Sequence, residues 1–188
     1  MMNSKGGNEL KRILYIGWTG YGNLGDELMF DLFRSKTTAL GEPFRLDAAN
    51  NEYRFLKNAR LSNYDLVVLG GGSLFSGPRN CFQDYIFDTL HRAVGMGRKV
   101  MIWGSGADSV PKSMLASLER DGGRGELPLK LPDAVRRNIP EVFEKSVWAG
   151  VRGPLTLALL QRAGAGGNLH VSGDPAFLLD AAAAAPPA

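Results

Sequence analysis

The chain has 188 residues, 44% hydrophobic and 22% charged, with a formal charge of +3. That size and balance fit one globular domain with a real core. The slight positive charge comes without a dense Lys/Arg stripe, so no nucleic-acid partner is expected, while anionic small ligands and a loose, peripheral association with an acidic membrane surface both fit. The single cysteine, Cys81, excludes an internal disulfide and a cysteine metal site and points to a reducing compartment. Residues 1–11 are polar, with no apolar stretch typical of a secretion signal, and no apolar run reaches the ~18 residues of a membrane span. The expectation is a soluble, cytoplasmic protein.

Residues 1–9 read as a frayed leader. The first strand is Arg12-Ile-Leu-Tyr-Ile-Gly17, a continuous apolar run of the kind buried on both sheet faces. A glycine-dense turn follows to Gly25, and an amphipathic helix opens at Asp26, with Leu28, Leu32 and Phe33 on one side. Its first-turn acids, Asp26 and Glu27, suit the helix dipole. A second strand is expected over residues 44–47, a short helix over 51–59, and a third strand over 64–69 running into Gly70-Gly-Gly-Ser73. Helical spacing returns over 82–94, then a fourth strand over 98–103. Residues 109–138 break the rhythm with Pro111, Pro128, Pro132 and a polar Gly-rich run, and read as a surface insertion with a helix near 112–118. A strand over 146–151, a helix opened by Pro154 and stopping near Gly164, and a short strand over 169–172 complete the pattern. Residues 181–188 form an Ala/Pro tail, so the domain is 1–180.

Strands alternating with helical segments predict an α/β fold, a Rossmann-like doubly wound parallel sheet with helices on both faces. Ligands in such sheets bind beyond the carboxyl ends of the strands. The glycine loops after the first, third and fourth strands should line that edge.

Gly20-Tyr-Gly-Asn-Leu-Gly25 is a literal G-x-G-x-x-G between strand and helix, and Asp47 stands where a dinucleotide site holds its ribose hydroxyl. Trp18 and Thr19 lengthen that turn, however, and Asp26 and Glu27 put carboxylates where a pyrophosphate needs bare amides. Glycines that merely turn the chain closely against the sheet remain the alternative. Gly70, Gly71 and Gly72 free backbone N–H groups for an anion, and Ser73 adds a hydroxyl. Arg152 leaves a strand at a helix start, suited to an anion or to a neighbouring acid. Asp174, held extended by Pro175, orients a loop or caps a helix. Trp18 and Tyr21 flank the first loop, as sugar-stacking rings or as core. His170 reads as packed, His91 as partly exposed. No metal-ligand spacing and no Ser/His/Asp arrangement is legible.

Taken in order, these segments resemble one family. Gly20-Tyr-Gly-Asn-Leu-Gly-Asp-Glu27 is similar to its G-x-G-N-x-G-D-E opening. Asp65-Leu-Val-Val-Leu-Gly-Gly-Gly-Ser-Leu-Phe75 is similar to its apolar-then-G-G-G-S-L segment. Trp103-Gly-Ser-Gly106 takes the place of its next glycine turn, Gly150-Val-Arg152 resembles its S-V-R-D block, and Gly173-Asp-Pro-Ala-Phe177 looks like its closing D-P-A-F. The family is the polysaccharide pyruvyl transferases, and the likeness covers the N-terminal half of such a protein. Gly153 departs from the pattern, replacing the acid after Arg152.

The resemblance implies transfer of a pyruvyl group from phosphoenolpyruvate to a sugar or lipid-linked saccharide of an exopolysaccharide or cell-wall polymer. It implies no cofactor and no metal, with phosphoenolpyruvate as donor substrate. It further implies a two-domain enzyme of the GT-B kind with the site between halves. On the motif positions, the substrate-binding residues are Gly20, Gly22, Asn23, Gly25, Asp26, Glu27, Gly71, Gly72, Ser73, Arg152 and Asp174. Arg152 falls to the donor anion, and Asn23, Asp26, Glu27 and Ser73 to the sugar; no catalytic residue is implied. A partner domain is expected to be missing, and its absence to leave an apolar face prone to self-association. A non-catalytic scaffold domain of a polysaccharide assembly system, and an NAD(P)-binding oxidoreductase domain, are the competing readings.

Overall fold

The computed structural model describes residues 10–76, 82–108 and 131–179, with single positions 110, 112 and 116. Expectations about the leader, the Ala/Pro tail, Cys81 and most of the insertion with its helix near 112–118 fall outside these residues. The strands are β1 (Lys11–Gly17), β2 (Phe44–Asn50), β3 (Leu66–Leu69), β4 (Lys99–Ser105), β5 (Trp148–Val151) and β6 (Leu169–Val171). They form one six-stranded sheet in the order β2-β1-β3-β4-β5-β6, and every pairing is parallel. The helices are α1 (Leu24–Thr38), α2 (Tyr53–Leu56), α3 (Asp84–Gly95), α4 (Asp133–Lys145) and α5 (Pro154–Arg162), with 3-10 turns at Leu61–Asn63 and Pro175–Leu178. This is the Rossmann-like α/β sheet that the alternation of elements predicts.

Side chains alternate across the strands and divide the core in two. Leu14, Ile16, Val67, Leu69, Val100, Ile102, Ala149 and Val151 point to a face covered by α2, α3, α4 and α5. Ile13, Tyr15, Val68 and Trp103 point to the other face, where α1 supplies Met29, Leu32 and Phe33.

Several boundaries differ from the sequence reading. The α1 helix opens at Leu24, because Asn23 acts as its N-cap and accepts from the Gly25 N–H at 3.1 Å. The β2 strand runs on to Asn50, since the edge position tolerates its polar and small residues. The helix expected over 51–59 shrinks to the single turn of α2.

The largest departure is α4, whose residues 133–138 read in the sequence as part of the insertion. Val135, Ile139, Val142 and Phe143 share its buried side, at the i, i+4, i+7, i+8 spacing of a core-facing helix. Pro140 sits inside it, an uncommon place because proline has no N–H to donate. Its ring lies against the turn at Gly164, where an added Cβ would come within 3.2 Å of Cγ. His170 is exposed rather than packed, edge-on to Trp148 at 5.0 Å.

Candidate functional site

The strand order reverses between β1 and β3, because β2 lies on one side of β1 and β3 on the other. Loops leaving the two strands part there, and a crevice opens at their carboxyl ends. The chain has a cleft of about 630 Å³ at this point. Trp18, Asn23, Gly25 and Asp26 line it from the β1–α1 segment, Gly72 and Ser73 from the loop after β3, and Arg152 and Asp174 from the far strands.

Each wall has a local cause. The β1–α1 loop is braced along its length: Asn50 Nδ2 donates to the Thr19 carbonyl at 2.7 Å, and the Gly20 N–H donates to Glu27 Oε1 at 2.7 Å. The Tyr21 hydroxyl donates to Glu52 and accepts from Arg54 Nη2 at 2.9 Å. Trp18 and Tyr21 stack on one another, centroids 5.0 Å apart and planes 28° from parallel.

The triple glycine meets three different neighbours. A side chain on Gly70 would run into the Tyr15 ring, and one on Gly71 would come within 2.7 Å of Met29. Gly72 has φ +97° and lets Asp26 Oδ1 approach to 2.6 Å of where a Cβ would stand. Its carbonyl accepts from the Gly106 N–H at 2.8 Å, which ties the loop to β4. Close packing against Tyr15, Met29 and Asp26 requires glycine at these three positions, apart from the anion contact or close ligand approach that the sequence pattern suggests for them.

Arg152 follows β5, its backbone N–H bonded to the Ser105 carbonyl at 3.0 Å. Its Nε lies 3.1 Å from Asp174 Oδ2. The other oxygen of Asp174, Oδ1, accepts from the Ala176 N–H at 3.0 Å and caps the 3-10 turn. Asp174 therefore caps, one of the two roles the sequence left open, and also pairs with Arg152, which the sequence reading did not foresee.

Three carboxylates, Asp26, Asp108 and Asp174, share the cleft lining with Arg152. Burial raises the pKa of Asp26 above the ordinary aspartate value; the Arg152 charge pulls it down, and Glu27 pushes it further up. Burial also lifts the Tyr15 hydroxyl far above its usual range, against the pull of the Gly71 N–H and with a further push from Asp26.

Of the eleven site residues expected from sequence, the structure brings Asn23, Gly25, Asp26, Gly72, Ser73, Arg152 and Asp174 together on the cleft. Gly20, Gly22, Glu27 and Gly71 are not among its lining residues. Glu27 holds the loop through Gly20, and Gly71 packs on Met29. Asn51 and Gln83 line the cleft and were missed. Asn51 follows β2 directly, and a strand ending at residue 47, as the sequence pattern predicts, hides that placement.

Asp47, the ribose ligand of the dinucleotide reading, lies within β2. Its carboxylate takes Arg45 Nε at 3.0 Å and Arg12 at 3.8 Å, and it does not line the cleft. The first turn of α1 carries its own acid against the anion such a cofactor would bring. Among the described residues, no group of His, Cys, Asp and Glu comes together as a metal site, and no helix is long and apolar enough to cross a membrane.

The family model described as polysaccharide pyruvyl transferase matches residues 9–188. No curated protein matches the chain.

Proposed function

The chain belongs to the polysaccharide pyruvyl transferase family, and from that premise we propose that its cleft takes part in moving a pyruvyl group from phosphoenolpyruvate to a polysaccharide sugar. The observation that carries this reading is Arg152, set into the cleft with Asp26 and ion-paired with Asp174. A guanidinium is suited to a carboxylate or phosphate, which it can meet with two parallel hydrogen bonds.

In the proposed reaction the methylene carbon of the donor gains a proton, and positive charge develops at the carbon bearing the phosphate. A sugar hydroxyl adds to that carbon. A second hydroxyl then displaces phosphate, giving a cyclic ketal and inorganic phosphate. One hydroxyl proton ends in the new methyl group and the other leaves with phosphate. Asp26 is assigned the proton, because it lines the cleft with Arg152 and Ser73 and burial raises its pKa. Arg152 faces the donor anion, and Asn23 and Ser73 face the acceptor.

Thermal-shift titration with phosphoenolpyruvate tests the reading. At about 100-fold over its dissociation constant a ligand stabilises by ~2.7 kcal/mol. The wild type is expected to gain stability, and Arg152→Ala to lose most of the gain. Stabilisation by NAD with no response to phosphoenolpyruvate would sink the proposal.

A further inference from the structure

The Trp18 side of the cleft has features the donor does not account for. Folding normally hides a tryptophan, yet Trp18 is 37% exposed and its stacking partner Tyr21 is 48% exposed. The loop that carries them is not loose. Asn50, Glu27, Glu52 and Arg54 all hold it, through the Thr19 carbonyl, the Gly20 N–H and the Tyr21 hydroxyl. Tyr21 covers one part of the indole, and the indole itself lines the cleft. An aromatic ring held rigid and left uncovered is a stacking surface.

Beside it stands an unsatisfied acceptor. Asn51 follows β2, its N–H bonded to the carbonyl of Gly17, the residue before Trp18, at 3.0 Å. It is only 4% exposed, it lines the cleft, and its Oδ1 has no hydrogen-bond partner. A buried carbonyl oxygen left unpaired is costly and calls for a donor. Among the described residues, the lining carboxylates Asp26, Asp108 and Asp174 add further acceptors and outnumber the arginine with them. Charge of that sign repels a second anion but suits a neutral molecule rich in hydroxyl donors.

We propose that the Trp18–Asn51 side of the cleft is the acceptor subsite, where a neutral sugar ring stacks on the indole of Trp18 and donates a hydroxyl to Asn51 Oδ1. This deepens the transferase reading and rests on it for the word acceptor; the sugar site itself stands on the ring, the orphaned oxygen and the charge of the lining. Asp26 is then shared, reached by the sugar from one side and by the donor from the Arg152 side.

The test is calorimetric titration of the full chain with methyl glycosides of neutral hexoses and N-acetylhexosamines, and separately with phosphoenolpyruvate. At least one glycoside is expected to bind. Trp18→Ala should weaken it about tenfold, as expected for loss of one ring-stacking contact, whereas Trp18→Phe stays within about threefold. Asn51→Ala should also weaken it, and all three variants should keep the wild-type affinity for phosphoenolpyruvate. A wild type that binds phosphoenolpyruvate but none of the glycosides overturns the subsite and leaves the donor reading standing. Trp18-dependent glycoside binding with no phosphoenolpyruvate binding does the reverse. Equal glycoside affinity in wild type and Trp18→Ala, or loss of glycoside binding in Trp18→Phe as large as in Trp18→Ala, also overturns it.

Discussion

Phe143 and Phe33 lie on opposite faces of the same sheet and keep different company. Phe143, from α4, is fully buried and meets Phe75 at 6.3 Å, in a set of rings that includes Phe82 and Phe87. Phe33, from α1, meets Tyr15 at 5.4 Å and Trp103 at 5.2 Å under one helix. Beyond Trp103 the cover on that second face is thin. Trp103, Trp148 and the turn at Pro175–Leu178 border a hollow of about 260 Å³, and Phe177 stands 88% exposed at its rim. One face is thus sealed by four helices and holds the fold together. The other is half open, and it shares α1, Asp174 and Ala176 with the cleft.

The largest effect should come from the sealed face. Phe143→Ala is expected to cost about 4–5 kcal/mol and Phe33→Ala about 3 kcal/mol, because an interior closed on all sides relaxes least around a new cavity. Urea unfolding of both variants measures the gap, and an equal or larger loss for Phe33→Ala would erase the distinction between the faces.

Next is the boundary between fold and site. Gly72→Ala forces a side chain onto φ +97° and against Asp26 Oδ1. It should cost about 1–3 kcal/mol through backbone strain and abolish the ligand response of the cleft. A variant with normal stability and normal ligand binding would show that the close approach of Asp26 is dispensable.

A smaller effect separates Asp26 from the other carboxylates. Its folded pKa is raised, so the folded state holds the proton more tightly than the unfolded chain. The stability this contributes is complete below the ordinary aspartate range and is lost as pH rises through the folded value. Asp26→Asn should remove that decline, and its melting temperature at neutral pH should equal or slightly exceed that of the wild type. A variant less stable at pH 7 than the parent would contradict the sign.

The smallest effect lies outside the sealed face. Glu141 joins His91 at 2.8 Å and Lys145 at 2.6 Å, and its pKa is lowered first by the Lys145 hydrogen bond and then by that of His91. The pair with His91 bridges α3 and α4, yet it is solvent-exposed, where such pairs contribute little. Glu141→Gln should leave the denaturation midpoint unchanged; a clear shift would mean that the contact between the two helices depends on charge as well as on its apolar side chains.

What could be read from the residues follows from the same asymmetry. The runs Ile13–Ile16, Leu66–Leu69 and Val100–Trp103 are buried on both sides and announce themselves as continuous apolar strands. The edge strand β2 does not, because it is mostly half-buried, with Arg45 and Ala48 exposed, and tolerates Asp47. Helix α4 stayed hidden because Pro140 and its charged outer side mask the spacing of Val135, Ile139, Val142 and Phe143. At the site, Asp26, Gly72, Ser73 and Arg152 were legible from motif order. Asn51 was not, since its importance lies in an unpaired oxygen that no spacing encodes. Gly71 and Glu27 were legible as important, but for packing and loop bracing rather than for lining the cleft.

The order of the strands carries a further consequence, for the way the chain is made. From β4 onward each new strand joins the sheet beside the one before it, so a chain leaving the ribosome, at about 5–20 residues per second, adds strands to an existing edge. The first three strands already define the floor of the cleft while Arg152 is still to be translated. Arg152, and after it Asp174, join a floor whose strands precede them in the chain. Hydrogen-exchange labelling of chains stalled after residue 145 should find β1, β3 and β4 already protected, and exchange at unfolded rates there would mean that the sheet waits for its final strands.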